Sequence, residues 1–112
     1  MEARALSKDA RVAPRKVRLV INLVRGKKVD EALNMLQFVP TPTAKVVAKA
    51  IKSAAANAEN TFQLPSSELK IIKIFADGAK TMKRFRARAR GRATPVLRRS
   101  SHITVVVAGQ ES

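Results

Sequence analysis

The chain has 112 residues, with 23 Lys and Arg against 8 Asp and Glu, one His and no Cys, for a formal net charge of +15. That length suits one domain; the 46% apolar content permits a modest core, which must rest on Val, Ile, Leu and Ala because the only aromatics are four Phe, and the lack of cysteine excludes disulfide staples and thiolate metal sites. A positive excess of this size opposes compaction by self-repulsion unless a polyanion neutralises it, so nucleic acid is the leading partner and an anionic membrane surface the second.

The opening Met1-Glu2-Ala3-Arg4-Ala5-Leu6 has no long apolar region, so no signal peptide is expected. No apolar run nears the roughly 20 residues that cross a bilayer, and the expected setting is the cytosol or an organellar matrix or stroma. Residues 3–12 read as a weak strand. Pro14 fits the first position of a helix, where its fixed φ and missing N–H do no harm. Val17, Val20, Ile21 and Val24 then recur at helical spacing, and Gly26 stands where a C-terminal cap belongs. Arg15, Arg18, Asn22 and Arg25 form a separate stripe, read either as a solvated face or as a phosphate contact. Lys27 and Lys28 make a basic turn. A short second helix starts at Val29, favoured by Asp30 and Glu31 in its first turn, and stops near Phe38 ahead of Pro40. Thr41 and Pro42 are an N-cap and first-position pair that starts a third helix, expected to run to about Asn60. Its apolar face is Val47, Ala50, Ile51, Ala54 and Ala58, with Lys45, Lys49 and Lys52 nearly opposite. The small residues from Ser53 to Ala58 predict close approach of another backbone in preference to RNA contact.

Residues 69–75 read as a strand by β-branched content, and the break in alternation at Ile71-Ile72 predicts a bulge or burial of both faces. Ile103, Val105 and Val107, alternating with Thr104 and Val106, predict the last strand. Between these strands arginine takes every second position at Arg84, Arg86, Arg88, Arg90 and Arg92. On a strand that spacing makes one row of guanidiniums, with Phe85, Ala87, Ala89, Gly91 and Ala93 on the other face; on a helix it would scatter the charge. Residues 78–99 carry nine cations and no acid, so they supply +9 and leave +6 for the rest. Such a row cannot lie in a packed core, since unpaired buried charges are prohibitively costly. Pairing Ile74 with Val107 would fold the chain back near Arg90-Gly91. The expected product is a long hairpin over about residues 79–99, whose base joins the core sheet. The globular part then comprises about residues 1–78 and 100–112. A ribbon with about 12 residues per arm would project on the order of 40 Å and have little stability alone. The fold class is α+β: three helices packed on a three-stranded antiparallel sheet, with the hairpin projecting from a single domain.

No chemistry of an enzyme is visible. His102 follows Ser100 and Ser101, but a Ser–His pair needs a third group and an oxyanion site, and adjacent strand positions face opposite ways. The carboxylates are scattered apart from Asp30-Glu31, and no phosphate-binding glycine loop, zinc spacing or calcium loop is present. Neither a cofactor nor a metal is expected. A membrane-active role fits poorly, because the arginine row lacks a bulky apolar face. A free regulatory or architectural nucleic-acid binder is the other class that the charge allows.

Six separated segments carry a resemblance: Ala13-Pro14-Arg15-Lys16-Val17-Arg18, Ile21-Asn22-Leu23-Val24-Arg25-Gly26-Lys27, Ser53-Ala54-Ala55-Ala56-Asn57-Ala58-Glu59-Asn60, Met82-Lys83-Arg84, Arg88-Ala89-Arg90-Gly91-Arg92-Ala93 and Ser101-His102-Ile103-Thr104-Val105-Val106-Val107. In order and at this spacing, the whole chain resembles the bacterial large-subunit ribosomal protein L-twenty-two family. The resemblance implies a globular body on the outer surface of the large subunit. It also implies a β-hairpin that threads through 23S ribosomal RNA, with a tip in the wall of the nascent-peptide exit tunnel. It further implies early binding in subunit assembly, the bridging of several RNA domains, neighbouring large-subunit ribosomal proteins (L-four at the tunnel constriction) and contact with the nascent peptide. Tip changes in the family affect macrolide susceptibility. By motif the tip is Arg86, Ala87, Arg88, Ala89, Arg90, Gly91, Arg92 and Ala93, with arms at 80–85 and 94–99. The sequence departs from the family pattern at Ala87, where many members have proline, and at Pro95 on the return arm. The candidate RNA contacts are Arg15, Lys16, Arg18, Arg25, Lys27 and Lys28 in the first helix and turn. To these are added Lys80, Lys83, Arg84, Arg86, Arg88, Arg90, Arg92, Arg98 and Arg99 in the hairpin, and His102 beyond it.

Overall fold

Proline and threonine punctuation sets the helices. In the computed structural model, which describes residues 2–63, 65, 68–78, 82–87, 93–98 and 100–109 (as backbone only at 9, 82–87 and 93–98), α1 spans Pro14–Val24, α2 Val29–Gln37 and α3 Pro42–Phe62. Proline occupies the start of α1 and α3. The Thr41 hydroxyl accepts the Ala44 N–H at 3.4 Å, supplying one of the acceptors that the first turn of α3 lacks. Gly26 takes φ +78°, the left-handed turn that follows α1, although Arg25 rather than Gly26 is the capping residue. Helix α3 runs past the expected Asn60 to Phe62, and Gln63 ends it in the left-handed region at φ 56°. Its amide still donates to Glu59 O at 2.9 Å, so the last turn closes without a glycine.

Five strands complete the chain: β1 (Glu2–Ala10), β2 (Leu69–Gly78), β3 (Met82–Ala87), β4 (Ala93–Arg98) and β5 (Ser101–Gly109). The core sheet is antiparallel in the order β1-β5-β2, and β3 pairs with β4 in a second, two-stranded sheet. The fold is therefore α+β, with three helices and a three-stranded antiparallel sheet, as the periodicities predict. The rows that cross the sheet explain which face is dry. Ala3–Val107–Ile71, Ala5–Val105–Ile74 and Ser7–Ile103–Ala76 face the helices. Apart from half-buried Ser7, every member of these rows is buried. Alanines on β1 meet the small residues of α3: Ala54, Ala55 and Ala58 are buried there, so the Ser53 to Ala58 segment is used for packing at these three positions. Val17, Val20, Ile21 and Val24 bury the inner face of α1, as their spacing predicts.

Two sequence expectations need adjusting. Ile74 pairs with Val105, two residues short of the expected Val107, and Val107 pairs with Ile71, three short of the expected Ile74. The difference of one is a bulge. Ile71 and Lys73 face consecutive residues Val107 and Val106, which leaves Ile72 as the extra residue. Ile72 is 39% exposed, which rules out burial of both faces as the cause of the broken alternation. The β3–β4 register, Met82↔Arg98 through Ala87↔Ala93, is symmetric about position 90. Arg90 and Gly91 themselves lie outside the described residues. Pro95 falls inside β4 opposite Phe85. Proline is tolerable there because each strand of a two-stranded ribbon has an outer edge that needs no ladder donor.

The edges of the core sheet are closed by helix side chains. Arg18 donates from Nε and Nη2 to Ala76 O on β2, at 3.3 and 3.0 Å. On the opposite edge Asn57 Nδ2 donates to Arg4 O on β1 at 2.9 Å. These contacts occupy carbonyls that an edge strand would otherwise offer to another chain. Ser101, fully buried, donates through Oγ to Val12 O at 2.5 Å and so ties the start of β5 to the link between β1 and α1. The β3–β4 ladder packs chiefly on itself. The Cα radius of gyration is 17.0 Å, against about 13 Å for a compact chain of this length, and the principal extents are 67 × 26 × 17 Å.

Candidate nucleic-acid interface

Helix α1 lies along β2 in a direction set by two backbone-level attachments. Near its start, Arg18 reaches Ala76. Beyond its end, Ile71 N donates to Lys27 O at 3.0 Å and Lys28 bridges Lys70 in antiparallel fashion. The N-terminal end of α1 therefore lies toward Ala76, and the turn after it lies toward Leu69. This arrangement distributes the candidate cations along one side of the body. Arg15, Lys16, Arg18 and Arg25 are exposed on α1, Lys27 is half-buried, and Lys28 is exposed beside Lys70. The stripe read from the sequence is thus a real outer face. Leu19 and Leu23 share that exposure, at 68% and 44%. Arg18 is the exception in kind, since its guanidinium already serves a protein carbonyl and keeps only part of its donor set for a ligand.

Of the hairpin cations, Lys83, Arg84 and Arg86 fall in β3 opposite Leu97, Val96 and Thr94, and Arg98 falls in β4 opposite Met82. Lys80, Arg88, Arg90, Arg92 and Arg99 lie outside the described residues, as do Ala89 and Gly91 of the expected tip; Ala87 and Ala93 are the paired ends of β3 and β4. Of the five-arginine row, β3 holds the first two members, Arg84 and Arg86. Two charge-free positions lead into this region. Gly78 and Ser101 are the last pair of the core sheet, and β3–β4 begins at Met82↔Arg98. Three residues separate the two ladders on one arm and two on the other, so the registers differ by one across the junction.

His102 sits on β5, half-buried, directly opposite Asp77. Both lie on the sheet face away from the helices. Lys45, Lys49 and Lys52 form an exposed stripe on α3. Sequence reasoning did not place Lys70, Lys73, Phe75 or Arg4 in any site. Their common face depends on the bulge at Ile72, and the signal that could have found them is the alternation of Lys73, Phe75 and Asp77 once that extra residue is allowed. Among the described residues no group of three or more His, Asp or Glu could hold a metal, and no helix is long and apolar enough to cross a membrane.

Comparison with known proteins is unambiguous. Residues 5–108 match the family described as ribosomal protein L22p/L17e. The chain is 60% identical over 108 residues to a Dehalococcoides mccartyi protein named large ribosomal subunit protein uL22, an alignment covering 96% of this chain and 99% of that one. It is 52% identical over 111 residues to a protein of the same name from a Thermoanaerobacter species, covering 99% of this chain and all of that one. Against the Clostridium novyi protein of that name the identity is 51% over 107 residues, 96% of each chain.

Proposed function

This chain belongs to the ribosomal protein L22p/L17e family, and from that premise we propose that it binds 23S ribosomal RNA within the large subunit, bridges RNA domains early in assembly, and lines the nascent-peptide exit tunnel with its hairpin tip. The family is a structural one and not a family of enzymes; the role of this protein is that of a structural component of the large ribosomal subunit. The observation that carries the finer reading is the charge distribution. Nine cations and no acid between residues 78 and 99 need a polyanion beside them, and ribosomal RNA supplies one.

Lysine and arginine neutralise phosphates and release the counterions condensed on them, so binding depends steeply on salt. Arginine adds planar two-point contacts to phosphate and stacks on exposed bases. Recognition of this kind reads the shape of folded RNA more than its sequence. The hairpin contributes Lys80, Lys83, Arg84, Arg86, Arg88, Arg90, Arg92, Arg98 and Arg99, and the body extends the track through Arg15, Lys16, Arg25, Lys27 and Lys28. His102 lies where β5 leaves the hairpin. The tip, from Arg86 through Ala93, meets the tunnel and the nascent peptide, with the L-four protein as its neighbour at the constriction. The protein acts in the cytoplasm, as part of the ribosome.

A two-stranded ribbon is marginal in water, and its self-repulsion lowers its stability further. Ordering of residues 80–99 is therefore coupled to RNA binding. In hydrogen exchange of the free protein, amides of 80–99 should exchange fast while residues 47–58 of α3 stay protected. In the assembled subunit the hairpin amides should slow by orders of magnitude. Equal protection of hairpin and α3 in the free protein would contradict coupled ordering.

A further inference from the structure

The helices cover one face of the core sheet, and the other face is open. Three rows cross it: Glu2–Ala108–Lys70, Arg4–Val106–Lys73 and Leu6–Thr104–Phe75, with the His102–Asp77 pair beyond them. The two middle rows contain no acid. Leu6 is 44% exposed and Phe75 40%, whereas Thr104 between them is only 3% exposed, so the two larger side chains cover it and present their own apolar surface. Cations flank it: Arg4 and Lys73, from the next row, are both exposed. Phe75 is thus an aromatic ring left half in water, two residues from a lysine on the same strand face.

The dimensions decide between occupants. Rows about 6.7 Å apart on strands about 4.8 Å apart make an open face of a few hundred Å². A stable protein partner needs about 800 Å² per side. A nucleobase needs far less, and an aromatic ring with cations around it is the chemistry that takes one: the base stacks on the ring and its phosphates meet the cations.

We propose that the open sheet face is a nucleotide-binding platform, on which an unpaired RNA base stacks on Phe75 while Lys73 and Arg4 hold the adjoining phosphates. The inference rests on the RNA-binding reading above but concerns a surface separate from the hairpin and from α1. The ligand is a single-stranded or bulged nucleotide, because bases within a duplex have no face to offer.

The test uses the full-length protein and large-subunit ribosomal RNA. Phe75→Leu, which keeps apolar bulk without a π-face, should lose about fivefold or more in affinity. Phe75→Tyr should bind as the parent does, which separates stacking from fold damage, and Lys73→Gln should make the salt dependence shallower by about one contact. Ultraviolet crosslinking of assembled subunits should give a nucleotide adduct on Phe75. If Phe75→Leu binds like the parent while the parent binds RNA tightly, the platform is overturned and the hairpin reading stands. An adduct joining Phe75 to another protein also overturns it. A parent protein that does not bind ribosomal RNA at all sinks both proposals.

Discussion

Replacing Arg84, Arg88 and Arg92 together by glutamine is expected to weaken binding to large-subunit RNA by at least about tenfold near physiological salt and to flatten the log-affinity against log-salt slope by two to three. The expectation follows from the charge arithmetic. Each of these residues stands in a segment with no acid, and each is among the proposed phosphate contacts. The same triple change lowers the net charge of the free chain from +15 to +12. Self-repulsion falls with it, so the urea midpoint of the free protein should stay level or rise slightly. Loss of RNA affinity with no loss of stability is the signature that separates a binding role from a folding one. An unchanged salt slope would remove these arginines from the phosphate contacts.

Ile74→Ala should do the reverse. Ile74 is fully buried on the helix-facing side of β2, in the row with Val105 and Ala5. Truncating a buried isoleucine loses transfer free energy and leaves a cavity, together about 2–5 kcal/mol. Against a total stability of about 5–15 kcal/mol for a domain, that is a large fraction. The urea midpoint should drop with the denaturant slope unchanged, while the salt dependence of RNA binding by the folded protein stays as it was. A cost below about 1 kcal/mol would mean that the sheet and helices do not pack as described.

These two expectations also mark what the sequence does and does not disclose. The helices were legible because their starts use residues with a local mechanism: Pro14, and Thr41 with Pro42. Their buried stripes follow from spacing alone, as Val17, Val20, Ile21 and Val24 illustrate. The family was legible for a different reason, since six motifs in order constrain far more than composition does. What could not be read was anything set by partners distant in the chain. Arg18 looks like its neighbours on the α1 stripe, yet its guanidinium closes the β2 edge at Ala76, 58 positions away. The Ile71-Ile72 doublet announces an irregularity, but only the pairing of Lys73 with Val106 shows that it is a bulge. That one extra residue decides which side chains share a face with Phe75. A register is a relation between two strands, so the open-face rows could not be read from β2 or β5 alone.

Charge and architecture then account for the division of labour. The body folds on aliphatic packing that needs no ligand. The segment from residue 78 to 99 adds nine cations and no acid, and the proposed coupling of its order to RNA binding rests on that charge. Cations on α1 and in the turn at Lys27 and Lys28 lie along the same side of β2, so under the proposed function the body shares the RNA contact with the hairpin.

A density map of the intact large subunit tests this account most directly. It should show the helices and the β1-β5-β2 sheet at the surface, with β3 and β4 passing between RNA segments and phosphates beside the arginines of residues 84–92. A hairpin lying in solvent, or a subunit preparation in which this chain is recovered only outside the particle, would contradict it.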